Sequence, residues 1–129
     1  DIISLHTPKP KKPIIGENEF KILKKNSILV NTSRGNAIDE KYLIHALNDC
    51  RIKGAALDVF MDEPLSLKSK LITNDKTILT PHSSSLTKEC SERMAIKASQ
   101  NIIDFFEKTL DSDVVVNFNE INYINKHTN

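Results

Sequence analysis

Apolar residues in this chain fall in short runs closed by a polar residue or a proline, with stretches of helical spacing between them. Ile2-Ile3-Ser4-Leu5 reads as a short buried strand that ends at His6-Thr7-Pro8. Pro8, Pro10 and Pro13 then force a loop, because proline lacks a donor and restricts the residue before it. Glu17 to Lys25 is predicted as a short helix with Phe20 and Leu23 inward, and Ser27 to Asn31 as the second strand. Asp39 suits the cap of the next helix, with Glu40 in a first turn that favours negative charge. Leu43, Ala46 and Leu47 form that helix's apolar stripe, and it ends near Cys50. Gly54 to Phe60 is the third strand, Pro64 to Asn74 a loop with a helical turn, and Thr77 to Thr80 the fourth strand. Thr87 caps the longest helix, which runs to about Lys108. Its Met94, Ala98, Ile102 and Phe105 recur at helical spacing and are expected to face the sheet. Val114-Val115-Val116 reads as a last extended segment, and Asn117 to Asn129 as a polar tail.

Strands separated by helices imply an α/β fold, a parallel sheet with helices on its faces. In such a sheet Arg34, Asp58, Glu63 and His82, each following a strand, gather at one carboxyl edge. That edge is where open α/β sheets bind ligands. An Arg, a Glu and a His converging there point to an enzyme acting on a small carboxylic acid.

Composition changes this picture little. A length of 129 residues suits one domain, and 39% hydrophobic with 27% charged residues is ordinary for a globular protein. A formal net charge of +1 lacks the basic excess of a nucleic-acid binder. Lys9, Lys11 and Lys12 form a small basic cluster broken by prolines, read as a solvated loop with phosphate attraction as the lesser reading. No apolar run approaches the roughly 20 residues of a membrane span, so no membrane partner is expected. Asp1-Ile2-Ile3 is read as neither a signal peptide nor a natural start. Cys50 and Cys90 lack metal-ligand spacing; two buried or partly buried thiols in a reducing cytoplasm is the favoured reading, a disulfide the alternative.

The chain has only Gly16, Gly35 and Gly54, and no Gly-x-Gly-x-x-Gly loop of the kind that opens a dinucleotide domain. Four separated motifs nonetheless occur in order: Leu5-His6-Thr7-Pro8, Leu29 to Gly35, Gly54 to Phe60 with Glu63-Pro64, and Thr80-Pro81-His82. Together they resemble the D-isomer-specific 2-hydroxyacid dehydrogenases, from Asp1 to about Asn117. Ile38-Asp39-Glu40, Asn101-Ile102-Ile103 and Val115-Val116-Asn117 resemble most the phosphoglycerate dehydrogenase branch. The resemblance implies a partial Rossmann-like sheet with flanking helices, the C-terminal half of a dinucleotide-binding domain. Residues 1–110 would form this partial NAD-binding domain and 111–129 a C-terminal extended segment and tail.

The implied activity is NAD-linked hydride transfer between a 2-hydroxy acid and a 2-oxo acid, including 3-phosphoglycerate oxidation in serine biosynthesis. Arg34 matches the arginine that binds the substrate carboxylate, which a planar guanidinium can grip with two hydrogen bonds. His82 matches the proton donor and acceptor, and Glu63 the carboxylate that pairs with it. Asp58 matches a cofactor-site aspartate near the nicotinamide. Thr32, Ser33, His6 and Pro8 lie where the family wraps the cofactor, as do Arg34, His82, Ser84 and Ser85; a locally hydrogen-bonded His6 is an equal alternative. No metal site is implied, His45 and His127 are given no role, and a cytoplasmic homodimer or larger assembly is expected at full length.

Ser83-Ser84-Ser85 departs from the small apolar residue and Gly or Ala usual after the family's histidine, which should alter cofactor binding without abolishing it. The glycine loop, the acidic residue that would bind the adenosine ribose, a substrate domain and a regulatory domain have no counterpart in the sequence. The chain is therefore read as a C-terminal portion with little turnover alone. Other readings are an NAD(H)-sensing or protein-binding module, or a decayed remnant.

Overall fold

The structure, a computed structural model, describes residues 1–120. The expected tail falls mostly outside them, as does His127. The described chain forms two compact units, Asp1–Ser85 and Leu86 onward.

The first unit is built on four parallel strands in the order β1-β2-β3-β4: Ile2–Leu5, Ile28–Asn31, Gly54–Leu57 and Thr77–Leu79. The strands stand in register, Leu5 beside Asn31, Asn31 beside Leu57, and Leu57 beside Leu79, so all four end at one edge. The α/β parallel sheet of the sequence reading is thus present. The second to fourth strands are shorter than their apolar runs suggested; Asp58, Val59 and Phe60 are buried beyond the strand, so apolarity there reflects burial and not pairing.

Two helices cover one sheet face. Helix α1, Glu17–Ile22, starts where Gly16 N–H donates to Glu19 Oε2 at 2.9 Å and buries Phe20. It stops short of the expected Lys25 because Leu23 already adopts an extended backbone. Helix α2, Glu40–Asn48, is capped by Asp39, whose carboxylate accepts from the Lys41 and Tyr42 amides. Its expected stripe Leu43, Ala46 and Leu47 is buried and packs in one cluster with Leu29, Ala55, Leu57, Ile38, Ile52 and Leu71. The other sheet face is unlike this: Ile2 is 71% and Ile78 70% exposed, so within this unit helices do not cover both faces as the alternation of elements suggested.

In the second unit Thr87 caps helix α3, Lys88–Phe106, by accepting from the Cys90 amide at 3.2 Å. The stripe expected to face the sheet is not buried; Met94, Ile102 and Phe105 are 49%, 60% and 64% exposed. Helical spacing predicts which residues share a face, not whether a surface meets it. The expected extended segment at Val114 is instead a 3-10 turn, Ser112–Val114, because Asp111 accepts from the Asp113 amide and starts a helical turn. Both cysteines are free; Cys90 is partly buried as expected, whereas Cys50 is exposed, contrary to the buried or partly buried thiol expected.

Candidate active site at the carboxyl edge of the sheet

Each strand end delivers one piece of the site, and buried polar groups shape the turns that follow. After β2, Asn31 is almost wholly buried (1% exposed). Its Nδ2 donates to Arg34 O at 2.9 Å, and its Oδ1 accepts from the Ser33 amide and hydroxyl at 3.1 and 2.9 Å. This closes the turn that presents Arg34 at the surface. Arg34 Nη1 donates to Ser33 O at 2.6 Å, and among the described residues no carboxylate neutralises the guanidinium. Gly35 is required by close approach: a Cβ there would sit 1.8 Å from Phe60 O and 2.0 Å from its carbon. The turn after β2 therefore lies directly against the loop after β3.

That loop carries Glu63. The Met61 amide donates to Glu40 Oε1 at the start of α2, and the Phe60 amide donates to Glu63 Oε1 at 3.0 Å. The other oxygen of Glu63 accepts from His82 Nδ1 at 2.8 Å. The bond from His82 and then that from Phe60 hold the Glu63 carboxyl below its usual range. Nδ1 is thereby occupied, and Nε2 is the ring nitrogen left to meet a substrate.

Asp58 fixes the turn that presents His82. Its carboxylate is 2% exposed and accepts from the Thr80 hydroxyl and from the Ser83 and Ser84 amides, the latter two at 2.9 Å. Burial acts to raise its pKa, but the bonds from Thr80, Ser84 and Ser83 outweigh it and hold the carboxyl well below the ordinary range. His82 itself sits at φ 52°, a left-handed conformation that an L-residue keeps only where its surroundings impose it.

A cleft of about 370 Å³ brings Arg34, Glu63 and His82 together with Gly35, Asn36 and Lys9, Lys11 and Lys12. A second cleft of about 490 Å³ adjoins it through Phe60, Glu63 and His82 and is lined by Leu65, Ile72, Leu79 and Pro81. The other sequence-derived positions border the same edge. Pro8, Thr32 and Ser85 are exposed there. Ser33 is buried with its hydroxyl turned to Asn31, and His6 Nε2 is bonded to Ser4 Oγ at 2.8 Å. Sequence reasoning missed Asn31, Glu40 and Thr80 as positioning groups. For Asn31 the signal was a polar residue closing an apolar strand; nothing local marked Glu40, whose partner is 21 residues away.

The family described as D-isomer specific 2-hydroxyacid dehydrogenase, NAD binding domain, matches residues 1–84. The chain belongs to the D-isomer specific 2-hydroxyacid dehydrogenases. It is 40% identical over 117 residues to a glyoxylate reductase of Aeropyrum pernix, covering 89% of this chain and 35% of that protein. It is 39% identical to a D-3-phosphoglycerate dehydrogenase of Methanocaldococcus jannaschii, over 89% of this chain and 22% of that protein. Among solved structures, D-lactate dehydrogenase with NAD+ from Lactobacillus jensenii superposes with a TM-score of 0.74 at 33% identity, over 81% of this chain and 36% of that one. The chain thus spans about a third or less of the length of these dehydrogenases.

The matched family model is an NAD-binding domain, and the edge chemistry suits a nicotinamide cofactor. Thr7 Oγ1, between His6 and Pro8, is a buried hydroxyl without a partner among the described residues, and exposed Thr32 and Ser85 offer further hydroxyls.

Proposed function

We propose that this chain carries the substrate-binding and proton-transfer groups of an NAD-linked dehydrogenase that interconverts a D-2-hydroxy acid and a 2-oxo acid. The observation that carries this reading is one cleft holding Arg34, unpaired with any carboxylate among the described residues, beside a His82 whose Nδ1 is bonded to Glu63.

Arg34 grips the substrate carboxylate through paired N–H···O bonds and so orients the adjacent carbon. In oxidation, His82 Nε2 takes the hydroxyl proton as hydride leaves that carbon and its carbonyl forms. In reduction the same nitrogen returns a proton to the oxygen as it gains charge. NAD, when bound, supplies the hydride acceptor in one direction and its reduced form the donor in the other. Glu63 stays anionic, holds the ring by Nδ1 and balances the charge that His82 gains. Asp58 acts through the turn it fixes. His6, Pro8, Thr32, Ser33, Ser84 and Ser85 are proposed to border the cofactor, together with Arg34, Asp58 and His82. Glyoxylate and 3-phosphoglycerate, the acids named for two relatives, both set a carboxylate next to an oxygen-bearing carbon, the element this pair of residues recognises.

The test is steady-state kinetics of the protein at its natural length with NAD and D-2-hydroxy acids. His82→Gln should lower kcat about 10²- to 10⁴-fold with little change in KM. Arg34→Gln should act mainly on KM. A His82→Gln protein with undiminished kcat would overturn the proposal.

A further inference from the structure

The proline-rich loop after β1 does more than cross the surface. Asn36 Nδ2 donates to Pro10 O at 2.6 Å, and the amides of Ile14 and Ile15 both donate to Ala37 O, at 2.8 and 3.0 Å. Three hydrogen bonds thus hold the loop against the turn of Arg34, Gly35 and Asn36. Lys9, Lys11 and Lys12 consequently line the same cleft as Arg34 and His82. Among the described residues none of these lysines is paired with a carboxylate. The one acidic side chain of the cleft, Glu63, is committed to His82 and Phe60. Three lysines and an arginine therefore share the cleft with one already bonded carboxylate.

One cation suffices for the carboxylate of a 2-hydroxy acid. We propose that the lysine loop is a subsite for a second anionic group at the far end of the substrate, a phosphate ester on the carbon chain. Strongly hydrated ammonium groups act as point charges and suit a phosphoryl group, which presents three oxygens in no fixed plane. An apolar substrate tail would turn instead to the neighbouring cleft of Leu65, Ile72 and Leu79. The proposal rests on Arg34 as the carboxylate anchor.

The experiment is calorimetric titration of the protein at its natural length with 3-phosphoglycerate, D-glycerate and inorganic phosphate, and with NAD as a control. 3-Phosphoglycerate should bind more tightly than D-glycerate, which lacks only the phosphoryl group. In the K9Q/K11Q/K12Q variant its affinity should fall about tenfold while those for D-glycerate and NAD hold. Inorganic phosphate should compete with 3-phosphoglycerate in the wild type but not in that variant. Equal affinities for the two acids, or a preference that survives the three substitutions, would overturn the lysine subsite. A loss of NAD affinity in the variant would also overturn it, assigning the loop to the cofactor instead. The anchor is tested apart: Arg34→Gln should weaken both acids alike. If it weakens neither, or if neither acid binds at all, the Arg34 reading fails and the subsite falls with it.

Discussion

At the residue scale, the site is shaped by side chains that never meet the substrate. Asp58 is the clearest case. Asp58→Asn keeps the shape but places an amide N–H against the Ser84 amide, two donors facing each other in a buried place. Urea unfolding should show a loss of about 1–3 kcal/mol. Of the residues named from sequence, Arg34, Glu63 and His82 were legible because each lies two to four residues beyond an apolar run and within a motif of the resembled family, and the fold brings all three to one cleft. The way Asp58 and Ser33 turn inward was not, since whether a polar side chain faces solvent or the backbone of a neighbouring turn depends on contacts made 25 residues away or only after the turn has formed.

Among the elements, the two turns that hold the site are locked backbone to backbone. Gly35→Ala would drive a methyl into the Phe60 carbonyl, which cannot swing away as a side-chain tip could. The expected cost is about 3 kcal/mol or more, read from the midpoint of chemical denaturation. A variant of wild-type stability would show that the loop after β3 yields freely. Helix α2 is a simpler matter. Asp39→Ala removes a cap that accepts two amides and should cost about 0.5–2 kcal/mol. Leu43→Ala, at a fully buried position, should cost about 2–5 kcal/mol. The same cap and stripe made α2 readable from sequence. Helix α3 shows the limit of that reading, because its Thr87 cap is local and was foreseen, whereas burial of its Met94-Ile102-Phe105 face needs an opposing surface that periodicity does not describe.

For the whole molecule, three lowered carboxyls bear on the response to acid: Glu17, exposed and bonded to Lys21 and Tyr42, and the site pair Asp58 and Glu63. Asp58 and Glu63 ionise more readily in the folded chain than in the unfolded one. They therefore contribute stability that is fully present above the ordinary carboxylate values, about pH 4 to 4.5, and is lost as pH falls through their lowered folded values. Melting followed by circular dichroism should show little change from pH 7 to 5 and a steep fall below pH 4. Asp58→Asn should flatten that fall, and an unchanged slope would place the acid sensitivity elsewhere. The parallel sheet was legible as a whole because four apolar runs alternate with helical spacing. That only one of its faces is covered within the first unit was not, since exposed Ile2 and Ile78 look no different in sequence from buried Leu29.

The fastening of the lysine loop has one more consequence. Its anchors are the Pro10 carbonyl and the amides of Ile14 and Ile15, all main-chain atoms, so the side chains at positions 9, 11 and 12 take no part in holding it. Mutation can therefore rewrite those positions without loosening the scaffold. Selection would find there a dial for changing which acid is accepted, separate from the residues that perform the chemistry.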